Sequence, residues 1–212
     1  MFVPPYFKLE DRAEQLALIR ARPFGLLVTN GPGGLMANPA PFLLDESIGE
    51  HGLLRAHLAR PNPQWREADA AREALVVFQD VDAYVTPAWY ATKRETGKVV
   101  PTWNYSAVHV YGVLRAIDDR DWLRNLVGEL TDLHEAGRAD PWKVDDAPAD
   151  YIDVMLRGIV GVEIAITRIE GKAKVSQNRN EADRAGVVAG LRADGGEASL
   201  RMAGQVERAK IP

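Results

Sequence analysis

The run from His57 to Trp65 (HLARPNPQW) places an arginine, an amide and a candidate helix start close together. Arg60 offers a bidentate fork suited to phosphate, and Asn62-Pro63 has the form of an N-cap followed by a first helical residue. Free N–H groups at a helix start attract anions, so the run predicts a seat for a terminal phosphate. Equally, Asn62 could simply cap a helix beside a solvated arginine. A second group spans 84–111: Tyr84, Trp89, Tyr90, Trp103, Asn104, Tyr105, His109 and Tyr111. In an extended chain Trp103, Tyr105, His109 and Tyr111 share one face. That wall suits a planar heteroaromatic ligand, or else a barrel core whose polar tips bond to backbone. A third run, Lys172 to Arg179 (KAKVSQNR), alternates cations with amides. It could reach a phosphate or the polar edge of a ring, or be a solvated tail.

The elements that must position these groups are mostly strands. Asp11 and Glu14 have capping-box spacing and open a helix over 11–21, which Pro23 stops. Phe24 to Thr29 is a short apolar run of the kind expected for a strand covered on both faces. Asn30 to Gly34 is a turn, and Leu35 to Leu44 is extended but interrupted by Pro39 and Pro41, which marks an edge or bulged strand. Further strands are predicted at Leu53 to Leu58, Leu75 to Gln79 and Ala83 to Thr86, with a short helix ending near Arg72. Pro87 to Pro101 reads as a loop, and Thr102 to Ile117 as the longest strand, bent near Gly112. Asp118 or Asp119 caps an amphipathic helix carrying Trp122, Leu126, Leu130 and Leu133 on one stripe. A second helix covers Ala149 to Leu156, and Val162, Ile164 and Ile166 alternate as a last barrel strand. Beyond Glu170 the chain is basic, then helical. Strands come early, helices are inserted late and one strand returns, which is not βαβ alternation. The expected fold is mostly β with peripheral helices: a domain over 1–170 with helices inserted at about 118–158, and a C-terminal extension over 171–212 packing on the barrel or on a dimer partner.

Composition narrows the chemistry. The 212 residues carry 26 Lys plus Arg against 30 Asp plus Glu, a net charge of −4. That balance weakens a nucleic-acid role, which normally rests on a concentrated basic surface. With no cysteine, thiolate and disulfide chemistry are excluded. Four histidines (His51, His57, His109 and His134) without an HExxH pattern make an all-protein metal site unexpected. No apolar run approaches the ~20 residues that cross a bilayer. Met1 to Lys8 lacks a basic leader with an apolar stretch, so no membrane association and a cytoplasmic location are expected. No GxGxxG follows a strand, so a Rossmann site is not signalled.

At six stretches the sequence resembles the PaiB-like family of FMN-binding negative transcriptional regulators. They are MFVPPYF (1–7), HLARPNPQW (57–65), FQDVDAYVTPAWY (78–90), PTWNYSAVHVYG (101–112), GIVGVEIAITRIEG (158–171) and KAKVSQN (172–178). The family is similar to the FMN-binding split β-barrels, whose homodimers hold two flavins between subunits. The resemblance implies FMN as cofactor and one site made from all three groups. Arg60, Asn62 and Gln64 would grip phosphate and ribityl chain, with His57 nearby, and Asn38 and Pro39 would lie along the isoalloxazine. Trp103 and Asn104 would line the ring pocket. Lys174, Gln177 and Asn178 would close it from the other subunit. Thr86 stands where relatives usually show serine. Ala56 stands where they tend to show glycine, and its Cβ is expected to narrow the phosphate pocket.

Three functions follow from the resemblance. The first is an FMN-binding repressor, with DNA as a candidate partner, although no helix–turn–helix signature is present. The second is a flavin oxidoreductase passing electrons between NAD(P)H and a small acceptor, with His109, Tyr105 or His57 as proton donors. The third is haem binding through His57 or His109.

Overall fold

The computed structural model describes residues 1–209. The chain begins with β1 (Lys8–Leu9), α1 (Arg12–Ala21), β2 (Phe24–Gly31), β3 (Gly34–Pro41), β4 (Leu43–Asp45), β5 (Leu53–Ala59) and α2 (Gln64–Glu67). It continues with β6 (Ala74–Val85), α3 (Ala91–Thr96), β7 (Thr102–Ile117), α4 (Arg120–Glu135) and α5 (Ala149–Arg157). It ends with β8 (Ile159–Lys174), α6 (Glu181–Asp194) and α7 (Glu197–Arg208). The strands hydrogen-bond in the order β3-β2-β6-β7-β8-β5-β4, with β1 added to β8. The fold is therefore mostly β with peripheral helices, as expected. The proline-bearing β3 ends the sheet at one side, because a strand without all its N–H donors cannot occupy the middle of a ladder, and the three-residue β4 ends it at the other.

Several local expectations are corrected. Leu75–Gln79 and Ala83–Thr86 are not two strands but one, β6. The predicted loop at 87–101 contains a 3-10 turn at Pro87–Trp89 and the helix α3. The helix expected to reach Arg72 is a single turn, α2. On α4 the buried stripe is Leu123, Leu126 and Leu130, while Leu133 is exposed. The capping readings hold: Asp11 Oδ1 accepts from Ala13 N at 2.8 Å, and Asp119 Oδ1 from Trp122 N at 2.8 Å.

The structure comprises two units. One contains Met1–Leu18, Gln79–His109 and the chain from Glu170 onward. Its core joins Val85, Tyr90 and Val175 to Val187 and Leu191 of α6 and Met202 and Val206 of α7. Gly190 permits this packing, since a Cβ there would meet the Trp89 indole at 2.2 Å.

The other unit contains Ile19–Phe78 and Val110–Ile169. In it β5 pairs antiparallel with β8 over Leu53↔Ala165 to Ala59↔Ile159. Side-chain alternation along β5 buries Leu54, Ala56 and Leu58 and turns Arg55 and His57 the other way. On that side α4 lies over the strand: Arg55 forks onto Glu129, with the Arg55 Nη1 to Glu129 Oε1 bond at 3.1 Å. The strand β2 corrects another expectation, that both its faces are covered. Phe24 is 67% exposed and Leu26 41%, whereas Leu27 is fully buried. Antiparallel register places Leu26 and Val28 opposite Val77 and Leu75 on one face, with Pro39 and Ala37 on their other flank.

Candidate functional site

The first unit holds a small polar pocket of about 60 Å³ lined by Tyr90, Thr102, Asn104, Lys174, Ser176, Asn178 and Arg179. Strand alternation on β7 points Asn104 inward, where it is fully buried. Its Nδ2 donates to Ser176 Oγ at 2.9 Å. Ser176 has φ +63°, a left-handed conformation unusual for a residue with a Cβ. Such backbone strain costs roughly 1–3 kcal/mol and clusters at ligand sites. Gln177 holds the turn in place: its Oε1 accepts from Val175 N at 2.8 Å and its Nε2 donates to Ala173 O at 2.6 Å.

No carboxylate lines this pocket, although the buried Asp183 acts on Tyr90 from outside it. Lys174 Nζ donates to Thr102 Oγ1 and has no carboxylate partner among the described residues. Burial presses its pKa below the ordinary lysine value, and the Lys172 and Arg179 charges add to that against an opposing contribution from Tyr105. The Arg179 guanidinium lies over the Tyr90 ring, 4.5 Å from its centroid. Tyr90 is 1% exposed, and its hydroxyl makes no hydrogen bond. Burial is the main reason its pKa is raised. Cations and neutral donors therefore surround a space the size of one small anionic group, where an anion would relieve their repulsion. Flavin mononucleotide carries such a group in its phosphate, so the donor set fits.

Among the predicted residues, Asn104, Lys174 and Asn178 meet in this pocket. Gln177 is engaged by its own loop, and Thr86 Oγ1 caps the following turn by accepting from Ala88 N at 3.2 Å. Trp103, next to Asn104, must face the opposite way. It is 54% exposed and meets Tyr84 edge-on at 5.8 Å. Thr102, Ser176, Arg179 and Tyr90 were not among the predicted site residues. Arg179 closes the basic run already noticed in the sequence, but nothing in the sequence marks Tyr90 as lacking a partner.

The remaining predicted residues belong to the second unit, where Asn38, Arg60, Asn62 and Gln64 hydrogen-bond within the chain. Arg60 Nε donates to Arg157 O at 2.7 Å, Nη1 to Asp118 Oδ2 at 2.8 Å, and Nη2 to Asp118 Oδ1 at 2.6 Å and Ile159 O at 2.9 Å. An anion at this fork would compete with Asp118. Asn62 Oδ1 accepts from Gln64 N at 2.9 Å, so it caps the single turn α2. Gln64 is fully buried. Its Nε2 donates to Leu27 O, Thr29 Oγ1 and Met36 O, and its Oε1 accepts from Asn38 Nδ2 at 2.9 Å. Pro39 lies on the exposed apolar face. Ala56 is fully buried, and its Cβ points into the core, away from the side that His57 occupies.

His57 lines a separate cavity of about 320 Å³. Its other walls come from Pro41, from Val127, Leu130, Thr131 and His134 along one stripe of α4, and from Glu135 and Trp142. Among the described residues there is no group of three or more His, Asp or Glu placed to hold a metal ion, and no helix is long and apolar enough to cross a membrane.

Comparison with known proteins bears on the family and the fold. The chain is 32% identical over 207 residues to protease synthase and sporulation protein PAI 2 of Bacillus subtilis (strain 168), covering 98% of this chain and 97% of that one. The fold matches the flavocytochrome Anf3 from Azotobacter vinelandii with a TM-score of 0.58 at 16% identity, over 86% of this chain and 78% of the other. It also matches the FAD and heme binding protein from Mycobacterium smegmatis with a TM-score of 0.54 at 18% identity, over 77% and 71%. The two solved structures share the fold, a split β-barrel with peripheral helices. Residues 1–168 match the family described as "Putative FMN-binding domain", and with the similarity to PAI 2 this makes the chain a PaiB-like member of the FMN-binding split-barrel family, with FMN as its cofactor.

Proposed function

We propose that the protein is an FMN-binding homodimer that represses transcription, and that the FMN phosphate is seated in the Lys174 pocket. The observation that carries this reading is a pocket lined by two cations, Lys174 and Arg179, and by no carboxylate. Lys174 and Arg179 hold the anion, while Asn104, Asn178 and Ser176 orient it through neutral hydrogen bonds. The remaining polar residues of the HLARPNPQW run act by bracing strands rather than by touching the cofactor. When bound, FMN supplies hydride and single-electron transfer.

The dimer is supported by the apolar face that Phe24, Leu26 and Val28 form with Leu75 and Val77. Contiguous exposed apolar surface of this kind marks interaction sites. The repressor role is supported by the similarity to PAI 2 over nearly all of both chains. Two of the four cations of 172–184 are engaged by the chain itself, and the other two line the pocket. Lys172 is 8% exposed, with Nζ donating to Phe2 O, and Arg184 donates to Val206 O and Ala209 O. Repression therefore acts through a ligand or a protein partner rather than through that stretch.

A visible spectrum of the purified protein titrated with FMN tests the cofactor site: the flavin fluorescence is quenched on binding, and Lys174→Ala loses the effect. A mobility-shift assay with the DNA upstream of its own operon, at low salt where electrostatic binding is strongest, tests direct contact. Unchanged mobility is the expected result.

A second reading, a flavin oxidoreductase using NAD(P)H, is supported by the two fold neighbours named for flavin and haem. Tyr105 and His109 lie on the same face of β7 and are the candidate proton donors. Bleaching of the bound flavin on anaerobic mixing with NADH or NADPH would favour this reading over the repressor.

A further inference from the structure

The cavity around His57 is not used by the flavin reading above, and none of its residues belongs to the Lys174 pocket. From its lining we infer that it is a binding site for a small neutral aromatic molecule with one hydroxyl-type hydrogen-bonding group, which His57 recognises.

Volume comes first. At about 320 Å³ the cavity lies at the low end of the range that takes small organic ligands, with room for about one or two fused rings. The lining chemistry comes next. Pro41, Val127, Leu130 and Trp142 supply apolar surface. Val127, Leu130, Thr131 and His134 fall at helical spacing on α4, so the wall is one rigid stripe above β5. Residues on helices and strands hold a site more firmly than residues on loops.

His57 shares the polar part of this wall with Thr131, His134 and Glu135. Its Nδ1 is buried and makes no hydrogen bond. The chain itself covers that nitrogen, so an occupant of the cavity meets the remainder of the ring. Burial also lowers the His57 pKa below the ordinary imidazole value of 6.5, which favours the neutral ring. A neutral imidazole pairs with a hydroxyl in either tautomer, because a hydroxyl both donates and accepts.

Charge decides against an ionic occupant. No lysine or arginine lines the cavity. Glu135 is already engaged: Oε1 accepts from Arg138 Nε at 2.8 Å and Oε2 from Trp142 N at 3.2 Å. Thr131 donates its hydroxyl to Val127 O at 2.7 Å. An anion would meet the Glu135 carboxylate with only the His57 and His134 imidazoles to offset it, and a cation would have to displace Arg138.

The test uses FMN-loaded protein and calorimetric titration with 2-naphthol, with naphthalene and 2-naphthoate as controls. The expected result is one 2-naphthol bound per chain, with naphthalene and 2-naphthoate each about tenfold weaker or worse. His57→Phe, which keeps the ring volume, removes the preference for naphthol over naphthalene. Leu130→Trp, which fills the cavity, abolishes binding of both, and circular dichroism confirms that each variant is folded. Failure of 2-naphthol to bind, or a preference that survives His57→Phe, overturns the inference. Displacement of 2-naphthol by excess FMN overturns it too, by making the cavity part of the flavin site. A Soret shift on adding haemin that His57→Phe abolishes would instead assign the imidazole to iron.

Discussion

Arg60 and Lys174 are both cations in runs that suggest a phosphate site, yet the fold treats them in opposite ways. Arg60 sits where β5 ends, within reach of Asp118 and two backbone carbonyls, and both edges of its guanidinium are engaged. Lys174 sits at the end of β8, half-buried beside two further cations, with a hydroxyl as its hydrogen-bond partner. An arginine fork already closed on a carboxylate is a clamp for its own chain. A half-buried ammonium without a counter-ion would gain from a bound anion, because desolvation and like charge both disfavour its charged form. What distinguishes a ligand-binding cation from a structural one is the charge balance around it, not the residue type.

The largest expected effect tests this contrast directly. Combining Lys174→Ala with Arg179→Ala removes two charge-assisted bonds worth about 1.5–3 kcal/mol each, so FMN affinity falls by about 100-fold or more in a fluorescence titration. If the double variant binds FMN normally, the assignment of the phosphate to this pocket is wrong. Arg60→Ala should do the reverse: a lower thermal midpoint, because Asp118 and the carbonyls of Arg157 and Ile159 lose their donor, with FMN affinity changed by no more than about threefold. Loss of FMN binding without loss of stability would exchange the roles of the two cations.

Smaller effects sharpen the comparison by extending it to neutral groups. Tyr90→Phe deletes a buried hydroxyl without a partner, so the FMN-free protein is expected to be as stable as before or slightly more so. FMN affinity should fall by up to about tenfold, the value of one neutral hydrogen bond. The smallest effect concerns His57. Its pKa is lowered in the folded state, so between that lowered value and 6.5 the unfolded chain binds more protons. Stability therefore falls as pH drops below 6.5 toward the folded value. Urea midpoints measured at pH 7.5 and 5.5 should show this decline, and His57→Phe should reduce it. Part of the slope will remain, since burial lowers the His109 pKa as well.

Much of the scaffold was legible in the sequence. Local rules sufficed for the capping of α1 by Asp11 and of α4 by Asp119, for the turn at 30–34 and for the placement of the proline-bearing strand at a sheet edge. Each depends on a few neighbouring residues whose hydrogen bonds close locally. The exposure of Phe24 and Leu26 was not legible, because an apolar run has the same appearance whether its second face meets a core or another surface. The separation of Trp103 from Asn104 was foreseeable from strand alternation alone, but the resemblance that grouped them concealed it.

The sequence alone determined which groups were available: cations and amides in two runs, no thiol, an aromatic-rich strand, and the order of strands and helices. Tertiary structure decided which of those groups were already partnered. Asp118 lies 58 residues from Arg60 along the chain, and Ser176 lies 72 from Asn104. Whether a polar atom keeps its bonding capacity for a ligand depends on contacts at that range, and the local pattern of residues carries no record of them.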